Sequence, residues 1–136
     1  TIGDAELVHG SPREPLWEYV TSVPVARANL ATLRQAVGLH GHTHIPVAFL
    51  EADGRVDAIG PHDGSELELR GRRALLNPGS VGQPRDGDPR ASFAIFEPEA
   101  GRITWHRVGY DVEGVQAAMR SAGLPPSLAA RLSFGL

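Results

Sequence analysis

The chain predicts a mixed α/β fold on three observations. Short apolar runs of strand length are set between turns rich in glycine and proline, two stretches carry helical periodicity, and the two kinds of element alternate. Ala5-Glu6-Leu7-Val8 forms a short buried strand ending in His9-Gly10, and the Gly10-Ser11-Pro12 that follows can only turn. Pro15 to Val20 is a loop or short turn bearing Trp17 and Tyr19. Pro24 suits the first turn of a helix, where a missing N–H costs nothing. Val25, Ala26, Leu30, Leu33 and Val37 then recur at helical spacing, ending at Gly38. Leu39 and His40 make a brief strand into Gly41-His42-Thr43-His44-Ile45-Pro46, and Val47 to Leu50 makes another, followed by a hairpin-type turn from Glu51 to Gly54.

The second half continues in the same manner. Gly60 to Gly64 is a loop, Glu66 to Leu69 alternates in strand fashion, and Arg73 to Leu76 runs into the Asn77-Pro78-Gly79-Ser80 turn. Ser92 to Phe96 and Ile103 to Val108 form a hairpin around Pro98 to Gly101. Asp111 is a good N-cap for a helix carrying Val112, Val115, Ala118, Met119 and Ala122 and stopped by Gly123. Pro125 to Leu132 gives a last short helix. Antiparallel strands are expected to dominate after His44.

Composition bounds the function. At 136 residues the chain has room for one domain, and 41% hydrophobic with 21% charged residues is ordinary globular usage. No apolar run approaches the roughly 18 to 20 residues of a membrane span, and no signal-peptide pattern opens the chain. A net charge of -3 argues against general nucleic-acid or membrane-surface binding. With no cysteine, metal ligands are restricted to His, Asp, Glu and Asn, and the expected compartment is cytoplasmic. All 13 basic side chains are arginine, which we take as a coding bias.

The chemistry concentrates in three histidines. His42 and His44 stand at i and i+2 where a strand gives way to a turn. Alternate residues of an extended segment share a face, so both rings can aim at one point, and Gly41 frees the backbone there. His9 also sits at a strand exit. In open α/β sheets that rim is where sites are built, and three convergent nitrogens are enough to hold a metal.

Other residues have blander readings. His40 is expected as a hydrogen-bonded core or rim histidine, and His62 and His106 as surface residues. Arg85, Arg90, Arg72 or Arg73 could meet a substrate phosphate bidentately, though solvated surface charge is the ordinary fate of an arginine. Trp17 and Tyr19 are expected in core or rim packing rather than as a stacking platform. Ser80 has no partner at motif spacing to make it a nucleophile.

Taken in order, LVHGSPREPLWEYV, GHTHIP and LLNPGSVGQPRDGDPRASFAIFE resemble the C-terminal half of the calcineurin-like metallophosphoesterases, in particular small bacterial phosphodiesterase and phosphatase-like members. The likeness covers nearly the whole chain. It implies a β-sandwich flanked by helices, of which residues 1–136 would be the C-terminal part of a single domain. It further implies a two-metal hydrolase, with His9 and His42 on one ion and His44 on the other. Two divalent ions about 3.5 to 4 Å apart would polarise the phosphoryl oxygens and supply a hydroxide for in-line attack. The family points to manganese, while the ligand types also accept iron, zinc or nickel. A phosphomonoester, a phosphodiester, a dinucleoside polyphosphate or a phosphoprotein would all suit as substrate, with Arg85 a candidate contact to its phosphate.

The chain also departs from the family pattern. Upstream Asp-x-His, Gly-Asp-x-x-Asp and Gly-Asn-His-Asp or Gly-Asn-His-Glu motifs are expected, and none occurs; Asn29 and Asn77 are the only asparagines. The bridging carboxylate and the histidine general acid are therefore expected in an N-terminal half. Alone, this segment is expected to be inactive, and to self-associate or associate with that half. The alternative is a non-catalytic scaffold or partner-binding module that keeps the fold. Cupin, metallo-β-lactamase and amidohydrolase patterns fail: a cupin glutamate is replaced by Ala48 and Phe49, Ile45-Pro46-Val47 stands where x-Asp-His is needed, and a barrel needs about 250 residues.

Overall fold

The structure, a computed structural model, describes residues 5–136. Among these residues the order is β1 (Ala5–Leu7), α1 (Val23–Leu30), β2 (Val37–Leu39), β3 (Val47–Ala52), β4 (Arg55–Ile59), β5 (Glu66–Glu68) and β6 (Arg73–Asn77). There follow β7 (Ala91–Glu97), β8 (Arg102–Val108), α2 (Val112–Ser121), α3 (Pro126–Ala130) and a 3-10 turn at Arg131–Phe134. The strands form a five-stranded sheet in the order β1-β2-β6-β3-β4 and a three-stranded antiparallel sheet in the order β5-β8-β7.

The larger sheet changes character across its width. β1, β2 and β6 are parallel, because the chain returns from β1 through α1 and a long crossover, whereas β3 pairs antiparallel with both β6 and β4. The β3–β4 hairpin closes through Asp53 at φ 50 and Gly54 at φ 73, two consecutive left-handed residues that match the twist of the strands they join.

Period-2 alternation builds the layers. Ala74 and Leu76 of β6, Ala48 and Leu50 of β3, and Ala5 of β1 face the second sheet, where they pack with Ile103 and Trp105 of β8. Leu75 and Phe49, one residue out of phase, point to the other face and pack under Ala26 and Leu30 of α1. The result is a β-sandwich with a helix on its outer face. Each fully buried leucine contributes roughly 1.5 to 3 kcal/mol to holding it.

Three expectations need correction. α1 ends at Leu30 rather than continuing to Gly38, and Val37 belongs to β2, which begins there and not at Leu39. Leu33 and Val37 do occur at helical spacing, but Val37 pairs with Ala5 on one side and Ala74 on the other, and the sheet overrides the local period. β4 went unread beyond its turn, because only Val56 of its five residues is buried and an edge strand leaves little apolar alternation. At the C-terminus the reading holds: the Asp111 carboxylate accepts from Gly114 N–H at 2.9 Å and caps α2, and α3 follows. No helix among the described residues is long and apolar enough to cross a membrane.

Candidate metal centre

Parallel register brings the strand ends together. Leu7 pairs with Leu39, and Leu39 with Leu76, so β1, β2 and β6 stop at one level and the residues after them share one rim. That rim is the carboxyl edge, where open α/β sheets carry their sites. His9 follows β1, His42 and His44 follow β2, and Asn77 ends β6. The Gly41 N–H donates to the His9 carbonyl at 2.9 Å, tying the two loops at the point where the imidazoles leave.

His9 and His42 meet directly. His9 Nε2 lies 2.9 Å from His42 Nδ1, a hydrogen bond whose polarity follows the tautomers, and the rings meet edge-on at 4.7 Å. Two nitrogens each about 2.1 Å from a common ion stand about 3.0 Å apart at a right angle and about 3.4 Å apart at the tetrahedral angle. The observed spacing therefore suits two ligands of one ion. Tyr19 stacks on His42, with centroids 4.0 Å apart and planes at 22°, and fixes the plane of that ring.

His44 is held differently. Its Nδ1 lies 2.8 Å from the Gln83 backbone carbonyl, which can only accept, so Nδ1 carries the proton and Nε2 keeps its lone pair. A backbone carbonyl behind one ring nitrogen is the usual partner of a metal-binding histidine. Burial lowers the His44 pKa, and the charges of Arg85 and Arg131 add to that effect against the opposing Gln83 hydrogen bond. The ring is thus biased toward its neutral, ligating form. Among the described residues, however, no group of three or more His, Asp or Glu side chains is close enough to share an ion. The pair His9–His42 and the separate His44 are what the rim offers.

The presentation of His42 and His44 is not that of a strand. Both have left-handed backbones, His42 at φ 65 and His44 at φ 63, in a loop that follows β2. The i, i+2 spacing works here through two strained residues, a conformation that persists only where the surroundings enforce it. Asn77 is the enforcer. Fully buried, it donates its side-chain amide to the Gly41 carbonyl at 2.8 Å and to Thr43 Oγ1 at 2.9 Å, while its Oδ1 accepts from Gly79 N–H. On the far side, the Arg85 N–H donates to the His44 carbonyl at 3.2 Å.

The remaining candidates separate. Arg85 lies beside His44, its guanidinium on Gln83 Oε1 at 2.7 and 3.1 Å. Arg90 is taken up by Asp88 and Asp63, and Arg73 by the carbonyls of Leu30 and Leu33 and by Glu51. His40 is buried as expected, yet neither ring nitrogen finds a hydrogen-bonding partner, and burial pushes its pKa down to about 4. His62 is exposed, and His106 stacks on Phe93. Trp17 is not packed in a core or rim but 74% exposed. A hollow lined by Arg70, Arg72, Phe96 and Pro98 opens at the opposite end of β2 and β6 and plays no part in the histidine rim.

Sequence reasoning missed the parts played by Asn77, Gln83, Tyr19 and Arg131. An asparagine followed by Pro-Gly at the end of a buried strand is the one signal that pointed to any of them.

Comparison with known proteins gives the family and the fold. A solved metallophosphoesterase from Sphaerobacter thermophilus is 48% identical and superposes with a TM-score of 0.95, covering 100% of this chain and 56% of its own. The hypothetical protein PH1004 from Pyrococcus horikoshii OT3 shares the fold, with a TM-score of 0.65 at 19% identity over 96% of this chain and 46% of its own. The uncharacterized protein MJ0912 of Methanocaldococcus jannaschii is 33% identical over 128 residues, which is 93% of this chain and 50% of that protein. The chain thus spans about half the length of these relatives. Residues 4–101 match the calcineurin-like phosphoesterase superfamily domain, and the chain belongs to that superfamily.

Proposed function

We propose that the chain carries part of the active site of a metal-dependent phosphoesterase, and that residues 1–136 form the C-terminal part of one catalytic domain. The observation that carries the proposal is the 2.9 Å spacing of His9 Nε2 and His42 Nδ1 at the carboxyl rim of three parallel strands. His9 and His42 would hold one divalent ion and His44 Nε2 a second, with manganese the ion of choice. When bound, such ions supply Lewis-acid polarisation of the phosphoryl group and an activated water.

The chain's own residues position these ligands. Gln83 fixes the tautomer of His44, Tyr19 fixes the plane of His42, and Asn77 clamps the loop that carries both. Arg85, beside His44, would bind a phosphate oxygen. In this proposal the bridging carboxylate and the general acid come from the part of the relatives' length that this chain does not span. β1 has one sheet neighbour among the described residues, so its outer edge would receive that part, or a second copy.

A second reading, a non-catalytic scaffold, draws on the absence of a three-residue ligand group among the described residues. Hydrolysis separates the two. Residues 1–136 and a longer chain that includes the proposed N-terminal part are assayed side by side with p-nitrophenyl and bis-p-nitrophenyl phosphate and manganese. Turnover by the longer chain, lost in His42→Ala and absent in the short chain, is expected. Turnover independent of metal or of His42 would contradict the proposal.

A further inference from the structure

Beyond the histidines, two guanidiniums converge on one neutral atom. Arg85 donates to Gln83 Oε1 through Nε at 3.1 Å and Nη2 at 2.7 Å, and Arg131 Nη2 donates to the same oxygen. Among the described residues, neither arginine has an aspartate or glutamate side chain within ion-pair distance, whereas Arg13, Arg34, Arg73, Arg90, Arg102 and Arg107 each have one. Like charges repel at such separations, and a single amide oxygen does not neutralise them. The cluster is one backbone step from the ring of His44, because the Gln83 carbonyl accepts from His44 Nδ1.

The position of Arg131 is built into the fold. Arg131 comes from the 3-10 turn that ends the described chain, and it lies beyond the residues matching the superfamily domain. That turn is seated on the loop after Gln83. Gly87 N–H donates to the Gly135 carbonyl at 3.1 Å, and Gly135, left-handed at φ 64, comes so close that a Cβ there would stand 2.7 Å from the Asp88 backbone. Arg131 Nε donates to the main-chain oxygen of Leu136 at 2.8 Å, and Gln116 of α2 holds Ala129 and Ser133. The guanidinium is therefore presented by a fixed turn rather than by a free tail.

We propose that Arg131 and Arg85 together form a seat for a doubly charged phosphate beside His44, which makes phosphomonoesters the preferred substrate class. The inference rests on the phosphoesterase reading above and adds the charge of the substrate. A phosphomonoester dianion offers two charges and three terminal oxygens to two planar forks, and a diester offers one charge and two oxygens. Gln83 acts as the spacer that holds the forks in place until the anion arrives.

The test is equilibrium binding to the same longer chain in the presence of manganese. Inorganic phosphate, a dianion, and dimethyl phosphate, a monoanion, are titrated calorimetrically into wild type, Arg131→Gln, Arg131→Lys and Arg85→Gln. Phosphate affinity is expected to fall about 10- to 100-fold in both glutamine variants, as for a lost charge-assisted hydrogen bond. Dimethyl phosphate affinity is expected to fall less, and Arg131→Lys to recover part of the loss. Equal losses for both anions, or no loss in either glutamine variant, would overturn the seat. A wild type that binds phosphate through Arg131 yet hydrolyses neither ester with manganese would overturn the phosphoesterase reading and leave the seat standing.

Discussion

Asn77 donates its side-chain amide to the Gly41 carbonyl at 2.8 Å, joining the end of β6 to the start of the histidine loop across 36 positions of sequence. The same amide reaches Thr43, so one buried residue holds the backbone that carries two left-handed histidines. Replacing Asn77 with alanine removes three hydrogen bonds and leaves buried partners unpaired. The expected cost is about 2 to 4 kcal/mol of stability. Urea unfolding of Asn77→Ala measures it, together with a loss of manganese affinity larger than that of a surface control such as Arg55→Ala.

Trp105 links the two sheets. It is 1% exposed, packs on Ala74 and Leu76, and donates its indole N–H to the Asn77 carbonyl at 3.0 Å. Trp105→Phe should cost about 2 kcal/mol through the lost volume and hydrogen bond. The remaining tryptophan, Trp17, is exposed, so the variant should emit at the wavelength of a solvated indole in the folded state. Blue-shifted emission from the variant would show Trp17 buried and count against the described loop.

Glu18 sets an acid limit. Hydrogen bonds from Arg13, then Asn29 and Ser11, hold its carboxyl down to about 2, against an ordinary value of 4.5. The folded pKa is below the unfolded one, so this stabilisation is complete above about pH 4.5 and is lost as pH falls toward 2. Glu18→Gln should therefore cost about 2 kcal/mol at pH 7 and progressively less below pH 4.5. Chemical denaturation at pH 7 and pH 3 checks it: a difference that does not shrink in acid would refute the assignment.

Much of this was legible in the residues, and for physical reasons. Buried strands such as β6 and β3 announce themselves because the pleat forces alternation, and Asp111 and Gly123 mark the ends of α2 through local backbone chemistry. Val37 misleads because its partners, Ala5 and Ala74, are distant in sequence and leave no local trace. The histidine pattern placed His42 and His44 at a strand end but gave them the wrong geometry, since spacing alone does not distinguish a strand face from two left-handed turns. Gln83, Tyr19 and Arg131 act through contacts set only by the folded chain, so no motif carried them.

The central claim is that His9, His42 and His44 bind divalent metal at one rim, and paramagnetic NMR tests it without relying on turnover. Manganese is added in small steps to the longer chain that the proposal requires while the imidazole signals of the six histidines of residues 1–136 are followed. The account predicts that His9, His42 and His44 broaden first and together, that His62 and His106 persist, and that His42→Ala abolishes the effect at His9. Broadening that spares His9 and His42, or that reaches His62 and His106 equally, would contradict it.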